Sequence, residues 1–108
     1  MTEPAQTGST TFSAAEAIDW TKGWWRGAHP AALAGVSTDT RQMTPGALYV
    51  AIKGPTFDGH AFARQAIERG AGAVMMDSGA EIPSDIPALI VPGTERALTA
   101  LAAGWRAA

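Results

Sequence analysis

The chain contains no cysteine, which removes disulfides, thiolate zinc sites, iron–sulfur ligation and a cysteine nucleophile at a stroke. Imidazole is nearly as scarce. His29 and His60 are the only histidines and lie 31 positions apart, so a His-rich metal site is excluded, and no carboxylate spacing marks a mixed one. A charge excess of either sign is missing too: eight Lys and Arg face ten Asp and Glu, spread without blocks. A duplex-binding protein would show a basic stripe, and none is present. No run approaches the roughly 18–20 apolar residues of a membrane span. The first residues, MTEPAQTGSTTF, lack both the basic start and the apolar stretch of a secretory signal. The expectation is a soluble, monomeric, cytoplasmic domain of a reducing compartment, without a nucleic-acid or membrane partner.

Three chemical signatures are absent as well. There is no Gly-x-x-x-x-Gly-Lys-[Ser/Thr] loop and no Gly-x-Gly-x-x-Gly fingerprint, so the chain shows no ATP site of its own. Gly70-Ala71-Gly72 reads as a helix stop followed by a strand start, the wrong order for cradling a phosphate. There is no Gly-x-Ser-x-Gly elbow, and Ser37 has no base beside it, so no catalytic residue is assigned. Bulk is also limited: 23 of the 50 apolar residues are alanine. At 108 residues that suits one small layered domain, burying about 60–70% of its surface.

What is present is periodic. Residues 1–11 are polar and small and read as a disordered leader. Ser13 with Glu16 forms a capping box, predicting a helix over 14–22 that stops at Gly23, with Ala14 and Ile18 on its buried face. Residues 35–41 alternate, Val36, Thr38 and Thr40 against Ser37, Asp39 and Arg41, and predict a strand with polar decoration. Thr44-Pro45-Gly46 is a turn. Residues 47–52 are an apolar strand, buried on both faces if the sheet is covered twice. A loop over 53–60 leads to a helix over 60–69, with Asp58 as N-cap, a stripe of Phe62, Ala63, Ala66 and Ile67, and Gly70 at C′. Strands follow at 72–77 and 88–91. Thr94 then caps a last helix that presents Leu98, Leu101 and Trp105. The fold class is α/β, a mostly parallel sheet with helices packed on it, in which 47–77 is a right-handed βαβ unit.

Two clusters could carry chemistry. In parallel sheets ligands bind beyond the carboxyl ends of strands. The loop over 53–60 sits at such a place and offers Lys53, amides freed by Gly54 and Gly59, the Phe57 ring, Asp58 and His60, a set suited to a sugar nucleotide. It can equally be a connection with Phe57 in the core and Asp58 as a cap. The run Ser37-Thr38-Asp39-Thr40-Arg41 could present hydroxyls to a ligand, or be an edge strand with an internal Asp39–Arg41 pair. Trp20, Trp24 and Trp25 fit core and lid packing, or a platform with Arg26 stacked on it.

Read in order, Asp39-Thr40-Arg41, Pro45-Gly46-Ala47-Leu48-Tyr49-Val50-Ala51-Ile52-Lys53-Gly54, Asp58-Gly59-His60 and Gly70-Ala71-Gly72-Ala73-Val74 resemble the N-terminal domain of the Mur ligases of peptidoglycan synthesis. The resemblance is close over 35–77 and looser over 12–108. It implies a domain that holds the uridine diphosphate end of UDP-N-acetylmuramoyl-tripeptide, while ATP and Mg2+ bind a central domain and the incoming D-alanyl-D-alanine a C-terminal one, both outside this chain. It also implies the reaction: the peptide carboxylate is activated as an acyl phosphate, which the incoming amine attacks. The family's nucleotide contacts map onto Thr38, Thr40, Pro55, Thr56 and Phe57, with Ser37, Arg41, Lys53, Asp58 and His60 in support. Of the nucleotide contacts, only Thr40 stands in a motif slot; Thr38, Pro55, Thr56 and Phe57 are placed by alignment. Two departures stand out: Ala47 replaces a common acidic residue, and Pro55 removes an amide. The resemblance leans to the D-alanyl-D-alanine-adding members. The alternatives are a member that adds the third peptide residue, or a stand-alone α/β interaction module without catalysis.

Overall fold

The computed structural model describes residues 11–52, 58–80 and 85–107. Apart from Thr11, the expected leader lies outside the described residues, as do Lys53, Gly54, Pro55, Thr56 and Phe57. The elements in chain order are β1 (Phe12–Ser13), α1 (Ala14–Thr21), β2 (Trp24–Arg26), β3 (Ala32–Leu33), β4 (Val36–Ser37), β5 (Leu48–Val50), α2 (Ala63–Glu68), β6 (Ala73–Asp77), β7 (Ala88–Val91) and α3 (Thr94–Ala107). Five strands form one sheet in the order β2-β7-β6-β5-β4, and β1 pairs with β3 in a separate ladder. The pairs β4–β5, β5–β6 and β6–β7 are parallel, and β2 joins β7 antiparallel. The α/β expectation, mostly parallel and helix-covered, is met; the antiparallel edge strand at Trp24–Arg26 was hidden in a tryptophan-rich stretch that does not alternate.

Strand periodicity explains the layers. Successive side chains of a strand point to opposite faces. On one face Leu48, Val50, Ala73, Met75, Leu89 and Val91 are buried with Phe12, Ala17 and Leu101, which α1 and α3 help to supply. On the other, Tyr49, Ala51, Val74, Met76, Ala88 and Ile90 are buried with Ala63 and Ala66 of α2. The central strands are therefore continuous apolar runs, as a sheet covered on both sides requires. Alanine on the helices lets α2 lie close to the sheet despite the chain's modest bulk.

Helix α1 starts as expected. Ser13 Oγ accepts the Glu16 amide at 3.0 Å, and the Glu16 carboxylate accepts the Ser13 amide at 2.8 Å. Its buried face differs from the expected one: Ala14, Ala17 and Thr21 face inward, whereas Ile18 is 37% exposed. Ala17 at the sheet contact allows the close approach, which turns Ile18 to the flank. The left-handed residue that ends the helix is Lys22 (φ 62°), not Gly23. Gly23 is needed for space, because a Cβ there would lie 2.5 Å from the Ile90 carbonyl oxygen.

Further corrections concern caps and stripes. The α-helix of the crossover begins at Ala63, with Phe62 at its N-cap position and no side-chain cap, after a 3-10 turn over Gly59–Phe62. Asp58 therefore precedes that 3-10 turn and does not cap α2. Phe62 is 37% exposed, outside the buried stripe expected for it. Gly70 does serve at C′ (φ 109°), where Gly70 N–H reaches the Ile67 carbonyl at 3.1 Å and Ala71 N–H the Ala66 carbonyl at 3.0 Å, a Schellman ending. The Thr44-Pro45-Gly46 turn is closed by the Ala47 amide on the Thr44 carbonyl at 3.0 Å, with Gly46 at φ 84°. Thr94 lies within α3 and does not cap it; its amide donates to Asp77 Oδ1 at 2.8 Å, so a carboxylate from the end of β6 satisfies the helix start.

The tryptophans mostly pack. Trp20 and Trp105 flank Phe12 with centroid separations of 5.8 and 5.3 Å, and Trp25 Nε1 donates to the Ala14 carbonyl at 3.1 Å while its ring stacks on His29. Trp24 is 50% exposed.

Gly23→Ala is expected to lower stability by about 2–3 kcal/mol in urea melts, because the strand backbone at Ile90 must move to admit the methyl group. Gly79→Ala, with nothing within 4 Å of the added carbon, should stay within about 0.5 kcal/mol of the parent.

Candidate functional site

Among the described residues, two cavities stand out where the parallel strands end. The larger, about 630 Å³, is lined by Thr38, Asp39, Thr40, Arg41, Tyr49, Phe62 and Gln65. The other, about 510 Å³, is lined by Asp77, Pro92, Gly93, Thr94, Glu95 and Arg96 beyond β6 and β7.

The larger cavity exists because the chain leaves the sheet early. The expected strand over 35–41 stops at Ser37, and residues Thr40–Gln42 form a 3-10 turn. Local side-chain bonds outcompete the ladder there. Ser37 Oγ donates to the Asp39 carbonyl at 3.0 Å and accepts the Asp39 amide at 3.2 Å. Asp39 Oδ1 accepts the Arg41 amide at 2.9 Å, capping the turn. The Asp39–Arg41 pair foreseen from spacing is real and two-pronged: the guanidinium Nε and Nη2 donate to Oδ1 and Oδ2 at 3.1 and 3.0 Å. It lies across a turn and not on one face of a strand.

Behind this turn, Thr40 Oγ1 donates to Gln65 Oε1 on α2 at 3.2 Å. Tyr49, 1% exposed, donates its hydroxyl to the Gly59 carbonyl at 2.9 Å. Burial pushes the Tyr49 phenol above its ordinary pKa, with the Asp39 and Asp58 carboxylates adding to the shift, so it remains a proton donor. Gly59 has no room for a side chain: a Cβ would meet Ile52 N at 2.9 Å and the Tyr49 hydroxyl at 3.0 Å. The segment entering α2 is thus clamped to β5.

The structure brings Thr38 and Thr40 together with Asp39 and Arg41, and Ser37 orders their turn. Asp58 and the backbone of His60 sit beside the clamp; the side chain of His60 and all of Lys53, Pro55, Thr56 and Phe57 lie outside the described residues. Tyr49, Phe62 and Gln65 went unnoticed as site residues. Tyr49 is the only polar-tipped residue in an otherwise apolar strand, a signal that could have marked it. Phe62 and Gln65 are three apart and so share a side of the crossover; the stripe reading assigned Phe62 to the core and left Gln65 out.

The family profile described as "Mur ligase family, catalytic domain" matches residues 32–105. The chain belongs to the Mur ligase family. It is 51% identical over 71 residues to the UDP-N-acetylmuramoyl-tripeptide--D-alanyl-D-alanine ligase of Escherichia coli, covering 66% of this chain and 15% of that protein. It is 42% identical over 82 residues to the UDP-N-acetylmuramoyl-L-alanyl-D-glutamate--2,6-diaminopimelate ligase of Geobacillus thermodenitrificans, covering 74% and 16%. A crystal structure of MurF from Acinetobacter baumannii superposes with a TM-score of 0.77 at 27% identity, over 87% of this chain and 21% of that one. The chain thus spans about one-sixth of the curated relatives it matches. Both ligase types of the family are among its relatives. Among the described residues no helix is long and apolar enough to cross a membrane.

The Asp39 carboxyl is held below its ordinary 3.8, first by the Arg41 side-chain hydrogen bond and then by the Arg41 amide. A depressed value means that the pairing is complete above 3.8 and is lost as pH falls through the lower folded value. A carboxyl-carbon NMR titration should find the Asp39 midpoint below 3.8, rising toward the ordinary value in Arg41→Gln, in which the residue-41 amide still donates to the carboxylate. Equal midpoints in the two proteins would show that the pair does not form.

Proposed function

We propose that the chain is the substrate-anchoring N-terminal domain of an ATP-dependent peptidoglycan-precursor ligase, holding the uridine diphosphate end of UDP-N-acetylmuramoyl-tripeptide. The observation that carries this reading is the cavity of about 630 Å³ at the carboxyl end of β4, walled by Thr38, Thr40 and Arg41. Hydroxyls there can meet a base or ribose, and Arg41 at the exposed rim supplies a cation for a diphosphate. Pro55, Thr56 and Phe57 complete the site on the family pattern.

On this reading ATP and Mg2+ bind outside this chain. The phosphate-cradling loop is absent, and among the described residues no group of three or more His, Asp or Glu could hold a metal ion. On the same reading, acyl-phosphate chemistry belongs to further domains of a longer protein. Here the contribution is positional: binding energy from the remote nucleotide fixes where the peptide carboxylate lies, so that reaction elsewhere meets an oriented group.

For the incoming group we propose D-alanyl-D-alanine, supported by the higher identity to the tripeptide-using relative, 51% against 42%. The third-residue-adding reading is favoured by the longer span of that match, 74% of the chain against 66%. Assaying the full-length protein with tripeptide substrate and D-alanyl-D-alanine, against dipeptide substrate and a third amino acid, separates the two.

Amide NMR titration of the chain with UMP and with UDP-N-acetylmuramoyl-tripeptide should give saturable shifts at Thr38, Thr40, Thr56 and Phe57, and none with AMP. A folded chain in which no residue moves would overturn the anchoring role. Mixed with ATP, tripeptide substrate and D-alanyl-D-alanine, the chain alone should release no phosphate.

A further inference from the structure

The second cavity, beyond β6 and β7, plays no part in the reading above, yet it opens on the same rim. Strands β7, β6, β5 and β4 are parallel neighbours in that order, so their carboxyl ends share one edge of the sheet. The Thr38–Arg41 cavity stands at the β4 and β5 end of this edge, and the cavity of about 510 Å³ at the β6 and β7 end. Neighbouring strands lie about 4.8 Å apart, which separates the two openings by roughly 10 Å.

Thr94 is the informative residue of the second cavity. It is 3% exposed and lines the opening, yet among the described residues its hydroxyl makes no hydrogen bond. Only its backbone amide is partnered, by Asp77 Oδ1 at 2.8 Å. A polar group buried to that degree is normally satisfied, so a hydroxyl left open at a cavity wall calls for a partner from outside the fold. Around it the helix start adds donors. Gly93 accepts the Ala97 amide at 2.9 Å, so the ladder of the 14-residue α3 begins there. The amides of Glu95 and Arg96 then stand in the first turn without helical acceptors.

Charge narrows the class of ligand. A helix start favours an anion, but Asp77 already supplies one here and Glu95 adds another, against Arg96 as the one cation among the described lining residues. A phosphate would meet a wall of net negative charge. The same wall mixes donors and acceptors: the Thr94 hydroxyl is both, the two amides and Arg96 donate, and the Glu95 carboxylate accepts. Pro92 adds an apolar surface. That combination complements a neutral ring bearing hydroxyls, each of which donates one hydrogen bond and accepts others. From this we infer that the second cavity is a carbohydrate subsite, in which Thr94 and Arg96 hold the hexose of a sugar nucleotide whose nucleoside end lies at Thr38 and Thr40, a step that rests on the anchoring role proposed above. The diphosphate bridge of an extended sugar nucleotide covers the interval between the two openings. One ligand then lies along the rim, with each end in its own cavity.

The test is an amide NMR titration of the whole chain with UMP, UDP and UDP-N-acetylglucosamine. UMP and UDP are expected to move Thr38 and Thr40 and to leave residues 93–96 in place. UDP-N-acetylglucosamine should add saturable shifts at Gly93, Thr94, Glu95 and Arg96, and bind about fivefold more tightly than UDP. The near-isosteric Thr94→Val and the exposed Arg96→Gln, each checked for a parent-like dispersed spectrum, should bring the sugar nucleotide down to the affinity of UDP. Loss of UDP binding to the same degree would mark a general structural role for these residues and overturn the inference. Shifts at residues 93–96 already complete with UDP would give the cavity to phosphate, overturning it as well. Sugar-nucleotide shifts confined to Thr38 and Thr40 would sink the carbohydrate subsite and leave the anchoring reading standing. If none of the three ligands moves any residue of the folded chain, both readings fall together.

Discussion

A sheet that is apolar on both faces has to be covered on both faces, and most of this structure follows from that demand. Leu48, Val50, Met75 and Leu89 look toward α1 and α3, while Tyr49, Val74, Met76 and Ile90 look toward α2. Each buried aliphatic side chain contributes roughly 1.5–3 kcal/mol relative to its exposed state, so the three central strands cannot stand without their helices. Parallel strands must be joined by connections that return to the starting end of the sheet, which gathers the loops leaving the strands at one rim. The cavity sits at that rim by topology before any residue in it is considered.

Residue chemistry then shapes each opening of the rim. At β4 the polar run Ser37-Thr38-Asp39 supplies its own hydrogen bonds and peels the chain off the ladder. At β6, Asp77 instead reaches the first amide of α3 and ties strand to helix at the wall of the second cavity. Two short acidic side chains thus have opposite effects. One turns inward on its own segment and leaves space beside it; the other bridges two elements and fastens them.

Much of this was legible in the sequence, and the errors are instructive. The Ser13–Glu16 capping box, the Pro-Gly turn and the Gly70 ending were readable because each depends on residues within a few positions of one another. The central strands were readable because alternation had given way to continuous apolar runs. The β2 strand was not, since its pairing with β7 is set by residues more than 60 positions away. Alternation over 35–41 misled for a different reason: hydroxyl and carboxylate side chains can satisfy the backbone as well as a neighbouring strand can. Within the site, the Thr38–Arg41 cluster was visible as a cluster. Gln65 was not, because only the folded crossover lays it beside Thr40.

The outer strands of the sheet are very short. β4 holds two residues and β2 three, with Trp24 and Arg26 on the latter. An open edge is a template on which a foreign strand can add, and its reach scales with the number of free amides in register. Edges this brief, one ending in a tight turn and the other in a glycine at φ 78°, offer a neighbouring molecule almost nothing to zip onto. A small domain whose interior strands would aggregate readily if uncovered is thereby protected at its flanks by the shortness of the strands that border it.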